Sequence, residues 1–460
     1  MNAVLALSSG PLRAGRVPGR GIRGLLTPAG LAVLAFAVMT TFGLSVVGGL
    51  MGFMGRAQDP SSDLVAELAP TYVILAWIAV VLLLVPLVSL GGAAARLGVA
   101  RRDARLATLR LLGVTPREVI GLTVVETAGQ GLLGAALGFV GYLGLMPVWT
   151  RIPFMDRTFT VGELWVGPFA VLVALAAVPL LAAVSGMVSL RRVVISPLGV
   201  AMRQTPARMR WLRMLAVLAA LGAFVAYTQV SVGFEEAVAI GFLLGLLAVV
   251  FGTLNLLGPW TISVLGRVMA RTARTVPWLL AARRLLDDPR AAWRVVGGLS
   301  LASFVAGVLS VLPGIVSAED GGQDAQGAML LADLVTGAIL TLAIAFTAAA
   351  CSAGIVQAAT VLDRRREYAL QQLAGVPVEL FDAVRRREVL TPLIFVSGTS
   401  ALVAIVVLVP LFGTAAATAP QGLLALAACL GAGVVLVLAA TETSRPLLRS
   451  VLRETVVRAD

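Results

Sequence analysis

Ten stretches of this sequence are apolar for long enough to cross a lipid bilayer, and nothing else in it constrains the fold as strongly. An α-helix rises about 1.5 Å per residue, so about 20 apolar residues cross a hydrocarbon core about 30 Å thick. The stretches lie near 29–54, 71–95, 119–147, 168–190, 212–230, 237–259, 298–317, 330–357, 389–412 and 421–441. In hydrocarbon every backbone N–H and C=O must bond within the chain, and runs of this length do so as helices. The expected fold class is an all-α polytopic membrane protein with ten transmembrane helices. Composition agrees, since 59% of the residues are hydrophobic and only 13% charged, a balance foreign to soluble domains. The first stretch follows Arg13, Arg16, Arg20 and Arg23. Its apolar run is longer than the core of a signal peptide, so it reads as an uncleaved span.

What is missing narrows the chemistry. The chain has no histidine, and every one of its 36 basic residues is arginine. A P-loop lysine, a Schiff-base lysine, a histidine general base and a histidine metal site are all excluded. The two cysteines, Cys351 and Cys429, lie inside apolar runs, where a free thiol behaves as a small buried hydrophobe. No metal site is expected. The segment "EDGGQDAQG" carries acidic oxygens without the periodic spacing of a calcium loop, and reads as an exposed turn.

The net charge of +12 would suggest a nucleic-acid partner in a soluble protein. Here it marks topology instead. With the N-terminus inside, the clusters at Arg101–Arg117, Arg191–Arg213, Arg267–Arg294, Arg364–Arg387 and Arg445–Arg458 all fall on the cytoplasmic side. Only Arg56, Arg151 and Arg157 fall outside, among loops that hold Asp59, Asp63, Glu67, Glu235, Glu236, Glu319, Asp320 and Asp324. Both termini are therefore expected in the cytoplasm. No outer loop is long enough to fold as a domain.

A charged insert occurs twice. "RLATLRLLGVTPREVIGLTVVE" (Arg105–Glu126) and "EYALQQLAGVPVELFDAVRRRE" (Glu367–Glu388) align without a gap and share 5 of 22 positions, including Gly113 with Gly375 and Glu126 with Glu388. Each follows the second span of a four-span unit. The expected organisation is a first unit over 1–210, a two-helix linker over 211–261 and a second unit over 262–460. An even number of crossings separates the units, so they are parallel repeats about an axis along the membrane normal. In the first insert Leu106, Leu109 and Leu112 form one stripe of a short helix that also carries Arg105 and Arg110. Gly113 stops that helix, and Thr115-Pro116 suits the start of the next. In the second, Tyr368 and Leu373 supply the apolar side, Gly375 the stop and Pro377 the restart. Spacing alone leaves two readings open, an interfacial hairpin held by headgroups and a docking knob for a cytoplasmic partner.

These residues resemble the FtsX-like, or MacB-type, permeases of ABC transporters. "LATLRLLGVTPREV", with Leu109, Arg110, Leu112, Gly113 and then Glu126, fits the family pattern. "RRREYALQQLAGVPVEL" keeps Glu367, Ala369, Leu373, Gly375 and Glu388, while "VVISPLGVAMR" (Val193–Arg203) and "LAARRLLDDPRAAW" (Leu280–Trp293) add two further marks. Arg105 stands where the family usually has glutamate, and Gln371 and Gln372 replace its Leu-Arg. The large extracellular domain typical of MacB and of the bacitracin-resistance permeases is missing; the ten-span plan resembles the latter, but between spans 7 and 8 it has only "EDGGQDAQG". The resemblance implies a transport subunit rather than an enzyme, driven by a separate cytoplasmic ABC ATPase, with two ATPase copies per permease chain. ATP and magnesium would belong to that partner. It also implies that Arg105, Leu106, Leu109, Arg110, Leu112, Gly113, Glu367, Tyr368, Leu373 and Gly375 couple to the ATPase in a bacterial plasma membrane. The cargo would be a hydrophobic or amphipathic molecule such as an antimicrobial peptide, a drug, a lipid or a lipoprotein.

Other readings stay open beside it. Glu126 and Glu388, near the inner ends of spans 3 and 9, would form a proton relay in an ion-coupled secondary transporter. Alternatively they are structural ion pairs or elbow anchors, since Arg385–Arg387 abut Glu388. A mechanotransmission subunit acting on an extracellular partner is the third reading. Asp333, near the outer end of span 8, is expected to reach interfacial water. Gly134, Gly138, Gly141 and Gly144 on span 3, with Gly43, Gly48, Gly52 and Gly55 on span 1, suit close helix crossings or a moving seam. Single cysteines placed at 105 and 367 should react with an impermeant maleimide only from the cytoplasmic side. Labelling from outside would overturn the topology.

Overall fold

The computed structural model describes residues 28–60, 62–100, 116–194, 222, 256–310, 325–363, 370–417 and 420–442. Within them the chain is helical apart from one small hairpin and the short turns between helices. The first half contains α1 (Pro28–Gln58), α2 (Asp63–Ala100) and α3 (Pro116–Trp149), followed by β1 (Pro153–Phe154), β2 (Arg157–Thr158), α4 (Val161–Leu164) and α5 (Gly167–Val194). A helical stretch over 256–271 then leads into the second half. That half contains α6 (Val276–Asp287), α7 (Pro289–Leu309), α8 (Ala325–Asp363), α9 (Val378–Ala417) and α10 (Pro420–Glu442).

Among the described residues eight helices are long and apolar enough to span a membrane, which makes this an all-α polytopic membrane protein. The expected spans at 212–230, but for residue 222, and at 237–259, but for its last residues, lie outside the described residues. One boundary needs correction. The seventh span, expected at 298–317, is α7, which starts at Pro289 and ends at Leu309. Hydropathy missed the start because Arg290 and Arg294 dilute it. The Asp288 carboxylate accepts a bond from the Ala291 N–H and Pro289 takes the first helical turn, a strong start signal. In "EDGGQDAQG" the last three residues open α8, and the others lie outside the described residues.

The helices pack in two similar sets. α1 lies against α2 and α3, and α5 packs on α2 and α3. α7 lies against α8 and α9, and α10 packs on α8. The sets meet chiefly along α2 and α8, and one continuous core runs through both, from Phe36 and Leu90 to Leu299 and Leu393. α9 is 40 residues long, so it rises about 60 Å, about twice the hydrocarbon thickness. Part of it therefore stands beyond the bilayer.

Lipid tails are as apolar as leucine, so helices in a membrane gain by close approach rather than by apolar burial. The α1–α3 crossing shows this directly. A Cβ on Gly138 would sit 2.5 Å from the Ala37 carbonyl oxygen, one on Gly141 would sit 2.5 Å from Thr41 Oγ1, and one on Gly134 would collide with Phe36. Thr41 Oγ1 donates to the Gly138 carbonyl at 2.9 Å across this seam. Gly144, on the same helix, meets nothing. In the second set Gly307 lies against the Ala401 backbone, and the Ser300 and Ser400 hydroxyls bond at 2.7 Å. Cys351 and Cys429 are both free and half-buried, packed against the core. Gly138→Leu should lower thermal stability in detergent by at least the ~1–3 kcal/mol typical of overpacking, because backbone rather than side chain must move. Gly144→Leu should leave the melting temperature unchanged.

Candidate functional site

The second insert builds a helix stop followed at once by a new helix. The Gly375 N–H bonds the Gln372 carbonyl at 2.9 Å and the Val376 N–H bonds the Gln371 carbonyl at 3.1 Å. This pair of bonds is the Schellman arrangement, which requires a left-handed residue at the first of the two donors. Gly375 supplies it, with φ at +83°, a region costly for any side chain. After Pro377, α9 begins at Val378. The short helix before the stop turns Leu370 and Leu373 outward, 62% and 76% exposed. Leu373 and Gly375 are thus placed as a stop and its exposed apolar neighbour. Leu370 belongs beside them, and sequence reasoning missed it although it lies one turn before Leu373. Glu367, Tyr368 and all of Arg105, Leu106, Leu109, Arg110, Leu112 and Gly113 lie outside the described residues.

Behind this foot the base of the second set is tied by charge. Glu388 pairs with Arg284 of α6 at 3.4 Å, both half-buried, and not with its sequence neighbours Arg385–Arg387. Those neighbours leave α9 in other directions. Arg385 is buried and reaches Glu442 of α10 at 3.4 Å. Arg387 reaches Thr275 Oγ1 at 3.4 Å and lies 6.0 Å from the Trp278 ring. Consecutive helical residues point about 100° apart, so adjacency on α9 says nothing about shared partners. Glu388 therefore has the setting of a structural ion pair joining α9 to α6. Glu126 is half-buried on α3 and likewise engaged with its surroundings.

The end of the molecule away from this foot holds a site the sequence did not reveal. Arg56, read above as an outer-loop arginine, is 2% exposed. Its guanidinium donates to the Phe154 carbonyl at 2.6 Å, the Thr158 carbonyl at 2.9 Å and Glu163 Oε1 at 2.9 Å, and it lies 3.8 Å from the centre of the Phe159 ring. The β1–β2 hairpin turns through Met155 and Asp156, both at positive φ, as its two-residue turn requires. Glu163 is fixed by a capping box with Thr160. The loop descends onto α1 where the chain is smallest: a Cβ at Gly48 would sit 2.6 Å from the Leu164 carbonyl, and one at Gly52 2.9 Å from the Phe159 ring.

Asp333 completes this cap. It is buried, 9% exposed, and does not reach interfacial water as expected. Its Oδ2 accepts from the Tyr72 hydroxyl of α2 at 2.6 Å and from the Met155 N–H at 2.7 Å. One carboxylate of α8 thus holds the hairpin and α2 together beneath the aromatic cluster of Phe53, Tyr72, Phe154 and Phe159. A sequence signal existed in "TVGE", the capping-box pattern at Thr160–Glu163. Arg56 and Asp333 carry no local signal, because their partners lie 98–107 and 178–261 residues away. Among the described residues no three His, Cys, Asp or Glu side chains gather as a metal site.

Residues 77–198, about a quarter of the chain, match the family model described as FtsX-like permease C-terminal. The match takes in most of α2, the first charged insert, α3, the hairpin with α4, and α5. Over that segment the chain is similar to the FtsX-like permeases, and the match supports the resemblance read from the sequence. The FtsX-like permeases are membrane transport subunits that work with a cytoplasmic ABC ATPase. No curated protein and no solved structure matches the chain. Arg56→Met, which keeps bulk and removes every donor, should raise hydrogen exchange in residues 153–163 at least tenfold and leave exchange in α9 unchanged. Equal exchange in the hairpin would deny Arg56 its clamping role.

Proposed function

We propose that the chain is the transmembrane subunit of an ABC complex in a bacterial plasma membrane. ATP hydrolysis by a separate cytoplasmic ATPase drives export or extraction of a hydrophobic or amphipathic substrate. An antimicrobial peptide, a drug, a lipid or a lipoprotein fits that description. The observation that carries this reading is the FtsX-like match across the first insert, joined to the exposed Leu370 and Leu373 at the glycine stop of the second. Apolar side chains held outward on a short, sharply ended helix suit docking into a partner's groove.

The chain has no lysine for a Walker A loop, so ATP and magnesium belong to the partner. Two like-oriented helix sets, over 1–210 and 262–460, each carry one foot. One permease chain therefore serves two ATPase subunits, with both termini in the cytoplasm. A proton relay through Glu388 is disfavoured by its pairing with Arg284, which engages the carboxylate as a tie between α9 and α6.

The permease should co-purify with an ABC ATPase at one to two by native mass spectrometry, and vanadate should stop transport. Transport that survives vanadate would defeat the proposal. Gly113→Asp or Leu109→Asp should reduce ATPase stimulation by the permease at least tenfold while the protein stays in the membrane. Full stimulation in both variants would remove the docking assignment.

A further inference from the structure

At the base of the second helix set, exposed apolar side chains adjoin arginines that no described carboxylate neutralises. α6 buries Ala281, Ala282 and Leu285 in the core, with α9 as its main neighbour. Its other face exposes Val276, Leu279 and Leu280 at 62%, 41% and 42%. Arg283, one turn further on, is exposed too. The spacing of these four, at i, i+3, i+4 and i+7, makes one stripe. The helix over 256–271 exposes Trp260 and Val268, then Arg271, and the turn that follows exposes Arg274. From 256 to 294 the chain has seven arginines against two aspartates. Arg284 is held by Glu388 and Arg294 lies near Asp288, so the excess charge sits on the exposed members.

We propose that this surface binds anionic phospholipid: α6 lies in the membrane interface with Val276, Leu279 and Leu280 among the acyl chains, while Arg271, Arg274 and Arg283 hold headgroup phosphates. Two observations favour lipid over a cytosolic protein. α6 runs into the spanning helix α7 through the single residue Asp288, which holds its end at the membrane surface. The helix that leads into it also exposes Trp260 and Val268. A helix apolar on one face and edged with arginine is the usual interfacial anchor, and phosphodiester headgroups complement its charge. Lipid held here sets the height of α6, and through Arg284–Glu388 the position of α9. The inference is independent of any ATPase.

The test uses the full chain in phosphatidylcholine nanodiscs with a trace of spin-labelled phosphatidylglycerol or spin-labelled phosphatidylcholine. The motionally restricted fraction should favour phosphatidylglycerol by about twofold or more. Replacing Arg271, Arg274 and Arg283 together by Gln should abolish that preference, and replacing them by Lys should keep it. No preference in the unmodified protein, or loss in both variants alike, would overturn the proposal. A nitroxide on Leu279→Cys, in a Cys351→Ala, Cys429→Ala background, should collide with oxygen rather than with an aqueous nickel chelate. A label exposed to water until an ATPase is added would assign the surface to a protein partner and sink the lipid site.

Discussion

Close approach of helices through small residues is what the rest of this structure depends on. In hydrocarbon there is no water to expel, so association must come from contact and from the few polar bonds that cross between helices. Gly134, Gly138 and Gly141 let α3 lie directly on the backbone of α1, and Thr41 adds one bond across the seam. Gly307 and Ser300–Ser400 do the same for α7 and α9. The outer cap relies on the same device, because its loop rests on Gly48 and Gly52 of α1. Were those positions larger, the hairpin would stand off and Arg56 would lose its partners.

The two ends of the molecule are held by different physics. At one end Arg56 and Asp333 are buried, and their bonds to Phe154, Glu163, Tyr72 and Met155 reach distant segments. Such a network is costly to break in part, since a stranded buried charge keeps its desolvation penalty. At the other end the ion pairs Arg284–Glu388 and Arg385–Glu442 are longer, at 3.4 Å. Beside them the foot presents Leu370 and Leu373 outward. A clamp at one end and exposed apolar side chains at the other suit a device pushed from the cytoplasm, as proposed above.

Much of this was legible beforehand, and for identifiable reasons. Span positions follow from hydropathy because bilayer thickness sets a length that no packing detail alters. Gly375 could be read as a helix stop because the left-handed residue of such a stop favours glycine almost alone. The start of α7 was misplaced because arginine at a helix end lowers hydropathy without ending the helix, its long stem reaching back to the interface. Asp333 was misread because its solvation depends on what covers it, here a hairpin tip from another part of the chain.

By itself the sequence determined the class, the position of most apolar crossings among the described residues and the local stop at Gly375. Each of these depends on one residue and its near neighbours, or on the bilayer as solvent. Tertiary structure alone decided which charges pair: Glu388 with Arg284 rather than with Arg387, Arg56 with the hairpin, and Asp333 with Tyr72 and Met155. Those choices depend on which helix faces meet. A pattern of spans leaves that open, since many packings bury the same apolar surface and only side-chain fit separates them.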